Sequence, residues 1–158
     1  MTAVQRASVD RATLAGRDYI ETLDWSTAEI DEAIAVATEL KDAFRAGRPH
    51  RLLTDKTLFM LFLDKSTRTR NAFESGMTQL GGHAVYLDAE KTQVAHGESP
   101  KDMGIILSRY GHGLAIRHDL APYEGNAWMR EIARWADIPL INLQCDVDHP
   151  TQTLADLL

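Results

Sequence analysis

Leu58-Phe59-Met60-Leu61-Phe62-Leu63-Asp64-Lys65-Ser66-Thr67-Arg68-Thr69-Arg70 is the stretch from which the fold of this chain can be read. Its first six residues form a short, unbroken apolar run bounded by charge, which predicts a strand buried on both faces of a parallel sheet. Downstream, Ala72, Phe73, Gly76, Met77 and Leu80 recur at helical spacing, so Ser66 to Arg70 fall between the end of a strand and the start of a helix. A helix start presents free backbone N–H groups and the positive end of the helix dipole, which favour an anion. Here three hydroxyls alternate with two guanidinium groups, and Arg68 can add a bidentate, charge-assisted grip. Capping alone would use only one of those hydroxyls. Arg70 and Glu74 lie four apart on the predicted helix and are expected to form a structural pair.

Working outward, the same alternation repeats. Ser26 with Glu29 spells a capping box, followed by Ile30, Ile34, Ala37, Leu40 and Phe44 on one face of a helix that ends before Gly47. Gly81-Gly82 break the helix after the hydroxyl-arginine segment, and His83 to Leu87 read as a second strand followed by a polar loop from Asp88 to Glu98. Ser99 is placed to cap a third helix with Pro100 at its first position and Asp102 in its first turn, and Gly111-His112-Gly113 end it. Leu114 to Arg117 form a third strand. A helix carrying Trp128, Ile132 and Trp135, with the tryptophans expected in the core, leads to a fourth strand over Leu140 to Leu143. Four strand-helix alternations with short connections predict an α/β fold, an open four-stranded parallel sheet with helices on both faces.

In such sheets ligands bind beyond the carboxyl ends of the strands. The polar residues that follow the strands are Ser66 to Arg70 after the first, Arg117 and His118 at the third, and His149-Pro150-Thr151-Gln152 after the fourth. Arg117 at the end of an apolar strand needs an anionic partner, for which a ligand phosphate and a structural carboxylate such as Asp119 are both open. His149 and Gln152, three apart, offer a ring nitrogen and an amide to the oxygen and nitrogen of a carboxamide.

Composition bounds the classes of function. At 158 residues, with 44% apolar and 25% charged residues, the chain suits one compact globular domain. The net charge of −6 argues against broad attraction to nucleic acid or to an acidic membrane, and a basic pocket in an acidic protein suits a small anionic ligand. Cys145 is the only cysteine, which excludes an internal disulfide and a cysteine metal cluster and fits a cytoplasmic location. Residues 1 to 20 include Arg6, Asp10, Arg11, Arg17 and Asp18 without an apolar stretch of signal-peptide length, and no apolar run approaches the roughly 20 residues of a bilayer span.

Taken together, Ser66-Thr67-Arg68-Thr69-Arg70 with Phe73-Glu74, then Arg117, then His149-Pro150-Thr151-Gln152 resemble the two signatures of the carbamoyltransferases, the family that contains the ornithine and aspartate enzymes. The likeness runs from about Leu58 to the last residue. It implies that Ser66, Thr67, Arg68 and Thr69 hold the phosphate of carbamoyl phosphate, with Thr69 also near the carbonyl, that Arg117 bridges phosphate and carbonyl oxygen, that His149 bonds the carbonyl oxygen, and that Gln152 bonds the amino group. Arg68, Arg117, His149 and Gln152 would then be the catalytic set, with no metal or organic cofactor.

Gln93, within Thr92-Gln93-Val94-Ala95-His96-Gly97-Glu98-Ser99, is similar to the ornithine-type loop that enters a neighbouring subunit's site, which implies a homotrimer. Some positions depart from the family's patterns. Gly97 stands where ornithine-type enzymes carry lysine, Gln144-Cys145-Asp146-Val147-Asp148 replaces the usual approach to the histidine, Arg117-His118 is more like the aspartate type, and Leu63-Asp64-Lys65 and Asn71 are more like a less characterised subgroup. The resemblance further implies transfer of the carbamoyl group to an amine of an amino acid or related acceptor. It also implies that residues 1–158 are a carbamoyl phosphate-binding domain truncated before the acceptor-binding domain, since Leu154-Ala155-Asp156-Leu157-Leu158 begins an apolar helix and stops. The rival expectation from the residues alone is a non-catalytic phosphate-ligand or regulatory module. A nucleotide-binding protein is disfavoured because no glycine-rich loop precedes the helix at 66.

Overall fold

A computed structural model describes residues 9–158; Arg6, one of the charged residues near the start, lies outside the described residues. Four parallel strands, β1 (Thr57–Phe62), β2 (His83–Asp88), β3 (Gly113–His118) and β4 (Leu140–Cys145), form one sheet in the order β2-β1-β3-β4. Five α-helices occur among the described residues: α1 (Thr27–Arg45), α2 (Arg68–Gln79), α3 (Pro100–Tyr110), α4 (Gly125–Ala133) and α5 (Pro150–Leu157). The chain goes from β1 through α2 to β2 on one side, then returns through α3 to place β3 on the other side of β1. That reversal makes the gap between the carboxyl ends of β1 and β3 the topological switch point of the sheet.

The apolar run at β1 is unbroken because both of its faces are covered. Leu61 joins Leu114, Ile116, Met103, Met129 and Ile132 in a core beneath α3 and α4. Leu58, Met60 and Phe62 join Ala115, Leu143 and Met77 in a second core beneath α2. Alternate residues of each strand thus feed opposite cores, as a two-sided sheet requires. The register slips by one residue between β3 and β4: Ile116 faces Asn142 but Arg117 faces Gln144, leaving Leu143 as the extra residue of a bulge. A bulge of this kind re-aims the side chains that follow it, and it lies just before the β4–α5 turn.

Predicted starts and stops are reproduced with small extensions. Ser26 and Ser99 cap α1 and α3, with Pro100 at the first turn. The expected polar loop from Asp88 to Glu98 is instead wound into two 3₁₀ turns, Ala89–Lys91 and Gln93–His96, each opened by a side chain, Asp88 or Thr92, accepting a backbone N–H. Trp128 packs against the core as expected, but Trp135 lies beyond the end of α4 and is 42% exposed, stacked by Lys101 at 4.4 Å and donating to Glu131. The apolar stripe of α1 contains no buried residue, and Phe44 is more than half exposed. This helix lies against α5 rather than across the sheet, so the sheet does not cover it.

Residues 18–20 run beside the edge of β4. Tyr19 pairs with Ile141, donating to Leu140 O at 2.8 Å and accepting from Asn142 N at 2.9 Å, and Asp18 accepts from Leu140 N at 2.7 Å. This short segment closes the open hydrogen-bonding edge of β4. The fully buried Asn142 secures it, donating to Ile20 O at 2.8 Å and Asp148 O at 3.2 Å while accepting from Gln144 N at 2.9 Å.

Candidate functional site

Three chain segments meet the carboxyl end of the sheet around the switch point. The first is the β1–α2 turn. Thr67 stands at the start of α2 already in helical conformation (φ −93°, ψ −53°), and its hydroxyl accepts no hydrogen bond from the helix. Asn71 is the first residue of the turn whose N–H returns to the chain, at 3.2 Å from Thr67 O. The N–H groups of Arg68, Thr69 and Arg70 are therefore left without backbone acceptors among the described residues. Helices α1, α3 and α5 differ, because Ser26, Ser99 and His149 each accept an N–H there. Ser66, Thr67 and Thr69 make no side-chain hydrogen bond among the described residues, whereas Thr38 and Thr78, in mid-helix, return their hydroxyls to the carbonyl four residues back. The capping alternative for Thr67 thus fails, and the hydroxyls are free to donate outward.

The two arginines of the turn divide. Arg70 is structural, bonded to Glu74 at 3.1 Å and stacked 3.7 Å above the ring of Tyr86 on β2. Arg68 is exposed and forms no ion pair among the described residues. A turn that ties down one guanidinium and leaves the other at an open helix start suits an oxyanion from solution.

The second segment is the end of β3. Arg117 pairs in register with Phe62, and its carbonyl accepts from Leu63 N at 2.9 Å, so it lies beside the last residues of β1. Its side chain is only 13% exposed, yet its Nε has no hydrogen-bond partner among the described residues. Among the described residues, the carboxylate within ion-pair distance of it is Asp64, 3.9 Å from Nη2. Asp119, the structural partner considered from the sequence, is turned away to accept from Gln144 Nε2 instead. A buried guanidinium with a bare donor is costly unless an anion completes it.

The third segment is the start of α5. His149 is its N-cap residue, and Nδ1 accepts from Gln152 N at 3.3 Å. With Nδ1 committed as acceptor, the neutral ring carries its proton on Nε2, which is then a donor. Burial first, and then the nearby Arg117 charge, hold the His149 pKa below its ordinary value, against smaller opposing influences from Asp148 and Asp119. The ring is thus a neutral hydrogen-bond donor at neutral pH. Gln152 is exposed on the first turn of α5 and gives its Nε2 to Asp156 Oδ1 at 2.7 Å, leaving Oε1 as an acceptor.

The structure therefore gathers Ser66, Thr67, Arg68, Thr69, Arg117 and His149 at the ends of adjacent strands, with Gln152 one turn along α5. Gln93 stands apart, exposed on the 3₁₀ turn that follows β2 at the far edge of the sheet, and no side-chain bond among the described residues links it to the others. Sequence reasoning missed Asp64 as the neighbour of Arg117, and it missed the Asn142 and Asp148 contacts beneath His149. An acidic residue after a buried strand was the only signal available for either carboxylate.

Residues 17–158 match the family model described as the aspartate/ornithine carbamoyltransferase carbamoyl-P binding domain. Over 142 residues the chain is 46% identical to an ornithine carbamoyltransferase of Syntrophotalea carbinolica, covering 90% of this chain and 45% of that protein. Over 146 residues it is 42% identical to one of Halalkalibacterium halodurans, covering 92% and 44%. The solved ornithine carbamoyltransferase of Pyrococcus furiosus matches with a TM-score of 0.83 at 40% identity, over 91% of this chain and 44% of that one. Aspartate transcarbamoylase of Trypanosoma cruzi in complex with carbamoyl phosphate matches with a TM-score of 0.80 at 28% identity, over 98% and 48%. The chain spans somewhat less than half the length of these relatives.

Proposed function

This chain belongs to the aspartate/ornithine carbamoyltransferase family through its carbamoyl phosphate-binding domain, and from that premise we propose how its residues bind carbamoyl phosphate and prepare it for attack by an amine. The phosphate sits on the open start of α2, taking the N–H groups of that turn, the hydroxyls of Ser66, Thr67 and Thr69, and the guanidinium of Arg68. Arg117 reaches both the phosphate and the carbonyl oxygen. His149 donates Nε2–H to the same carbonyl oxygen, and Gln152 accepts from the carbamoyl NH₂ through Oε1.

The observation that carries this reading is the buried Arg117 Nε at the switch point, which has no hydrogen-bond partner among the described residues, with the His149 ring presented from the start of α5 after the neighbouring β4. Attack of an amine on the carbonyl carbon forms a C–N bond and moves charge onto the carbonyl oxygen. Collapse then breaks the C–O bond to phosphate, which leaves with its electron pair. Arg117, His149 and Thr69 stabilise the first charge, while Arg68 and the helix start stabilise the second. The amine's proton passes to the departing phosphate, so no side-chain base is required.

The whole protein of which this domain is typical would be a carbamoyltransferase, and the likeness to ornithine carbamoyltransferases supports ornithine as the acceptor. Gln93, remote from the cluster in one subunit, suits a homotrimer in which it enters the neighbour's site. No helix among the described residues is long and apolar enough to cross a membrane. A cytoplasmic location is part of the proposal, resting on the unpaired cysteine.

Calorimetric titration of this chain with carbamoyl phosphate and, separately, inorganic phosphate tests the reading. Tighter binding of carbamoyl phosphate, weakened by Arg68→Ala and by Gln152→Ala, is expected. Equal affinities for the two ligands, indifferent to Gln152→Ala, would reassign the domain to generic phosphate binding.

A further inference from the structure

The residue before His149 is bonded on every side. Asp148 Oδ1 accepts from His149 N at 2.6 Å and Oδ2 accepts from Thr22 N at 2.6 Å. Its carbonyl accepts from Cys145 N at 2.9 Å and from the buried amide of Asn142 at 3.2 Å. One carboxylate thereby joins the turn that presents His149 to the 3₁₀ turn Thr22–Asp24, which continues from the segment docked on the edge of β4. That 3₁₀ turn is itself held from the far side, because Glu21 accepts from Asn126 at 2.8 Å and Arg130 at 2.6 Å on α4.

We propose that Asp148 is a positioning residue that clamps the β4–α5 turn to residues 21–24 and so fixes the direction in which His149 presents Nε2–H to the carbamoyl group. The proposal rests on the binding role given above to His149. Asp146 also ties the β4–α5 turn to α4, accepting from Asn126 N at 2.9 Å, but the Asp148 side chain is the contact that reaches the backbone N–H of His149 itself. The bulge at Leu143 shifts the last residues of β4 by one position against β3, and His149 itself has an irregular conformation (φ −126°, ψ 70°). Without the carboxylate, the N–H groups of Thr22 and His149 would both lack acceptors and the turn would be free to rotate the ring away from Gln152 N. An aspartate suits this place because its two oxygens accept from two donors, one on each of the segments it joins. Asparagine offers one acceptor and sets its NH₂ against the second N–H. Glutamate keeps the charge but carries the carboxylate one methylene too far.

Asp148→Asn and Asp148→Glu, each measured beside the unaltered chain, test the clamp through two readouts: the ¹⁵N resonances of the His149 imidazole, which report its tautomer, and the affinities for carbamoyl phosphate and inorganic phosphate. In both variants the imidazole is expected to move from a single Nε2–H form to an averaged pattern, and carbamoyl phosphate to bind about tenfold more weakly, the size of one lost hydrogen bond. Inorganic phosphate, held at the α2 start, keeps its affinity. Unchanged imidazole resonances in Asp148→Asn would overturn the clamp, as would full recovery of both readouts in Asp148→Glu, which would reduce the role to charge. If the unaltered chain shows no preference for carbamoyl phosphate, the ligand reading fails while the resonances still decide whether Asp148 positions His149.

Discussion

His149 is useful to a carbonyl oxygen only while its ring is neutral and Nε2 carries the proton, and two features of the fold enforce that state. Gln152 N holds Nδ1 as an acceptor, and burial with the Arg117 charge opposes protonation. Linkage then has a definite sign. Because the folded-state pKa lies below the unfolded value of about 6.5, the unfolded chain takes up the proton first as pH falls. Stability contributed by the neutral ring is therefore full above about pH 6.5 and declines as pH drops through that value toward the folded-state pKa. Urea unfolding of the chain and of His149→Asn between pH 7.5 and 5 should show their stability difference shifting against the unsubstituted chain below about pH 6.5; a difference that stays constant would count against a buried neutral ring. Arg117 gives a second prediction at this scale. Arg117→Lys keeps the charge but loses the planar fork and the bare Nε, so carbamoyl phosphate affinity should fall by about 1.5–3 kcal/mol, measurable by calorimetry. The chemistry of these two residues was legible from their types and their places after apolar strands. Their partners were not, since no spacing rule brings Asp64 to Arg117 or Thr22 to Asp148.

At the scale of elements, the helices were read from their caps and the strands from their apolar runs, and both readings hold because local and tertiary preferences agree there. The reading was weaker where a tertiary contact decides. Residues 18–20 carry no strand pattern and act as an edge only because Asn142 and Asp18 hold them to β4. Replacing Asn142 by Leu would leave Ile20 O and Gln144 N without their partners in a fully buried place. A loss of about 2–4 kcal/mol is expected, seen as a lowered midpoint of chemical unfolding. The α3–α4 contact depends on Gly104 for a different reason. A Cβ there would meet Ile132 O at 2.8 Å and Ala136 N at 3.2 Å, backbone atoms that cannot turn aside. Gly104→Ala, although favourable to an isolated helix, should therefore destabilise the protein by about 1–3 kcal/mol through forced separation of the two helices. A gain in melting temperature from that substitution would contradict the close approach.

At the scale of the whole molecule, a net charge of −6 surrounds a site where Arg68, without an ion pair among the described residues, and the largely covered Arg117 lie at the carboxyl end of the sheet. Order β2-β1-β3-β4 makes this possible, because only a reversal of winding brings the turn after β1 and the end of β3 side by side with a gap between them. All the groups assigned to the ligand are donors or acceptors for one small molecule. Transfer also needs the acceptor amine held against the carbonyl carbon, and positioning of that second reactant is worth about 7–11 kcal/mol of a barrier in well-oriented systems. The chain spans about 45% of the length of the ornithine carbamoyltransferases it matches, and the proposed reading spends the donors of the site on carbamoyl phosphate. The expected behaviour of the 158-residue chain is binding without efficient transfer. Incubated with carbamoyl phosphate and ornithine, it should release phosphate no faster than buffer does, while calorimetry on the same sample records saturable binding of carbamoyl phosphate. Repeated turnover giving an N-carbamoyl product would show that the acceptor is held by residues described here, and would move the search for its site to the exposed rim around Gln152 and the β3–α4 turn.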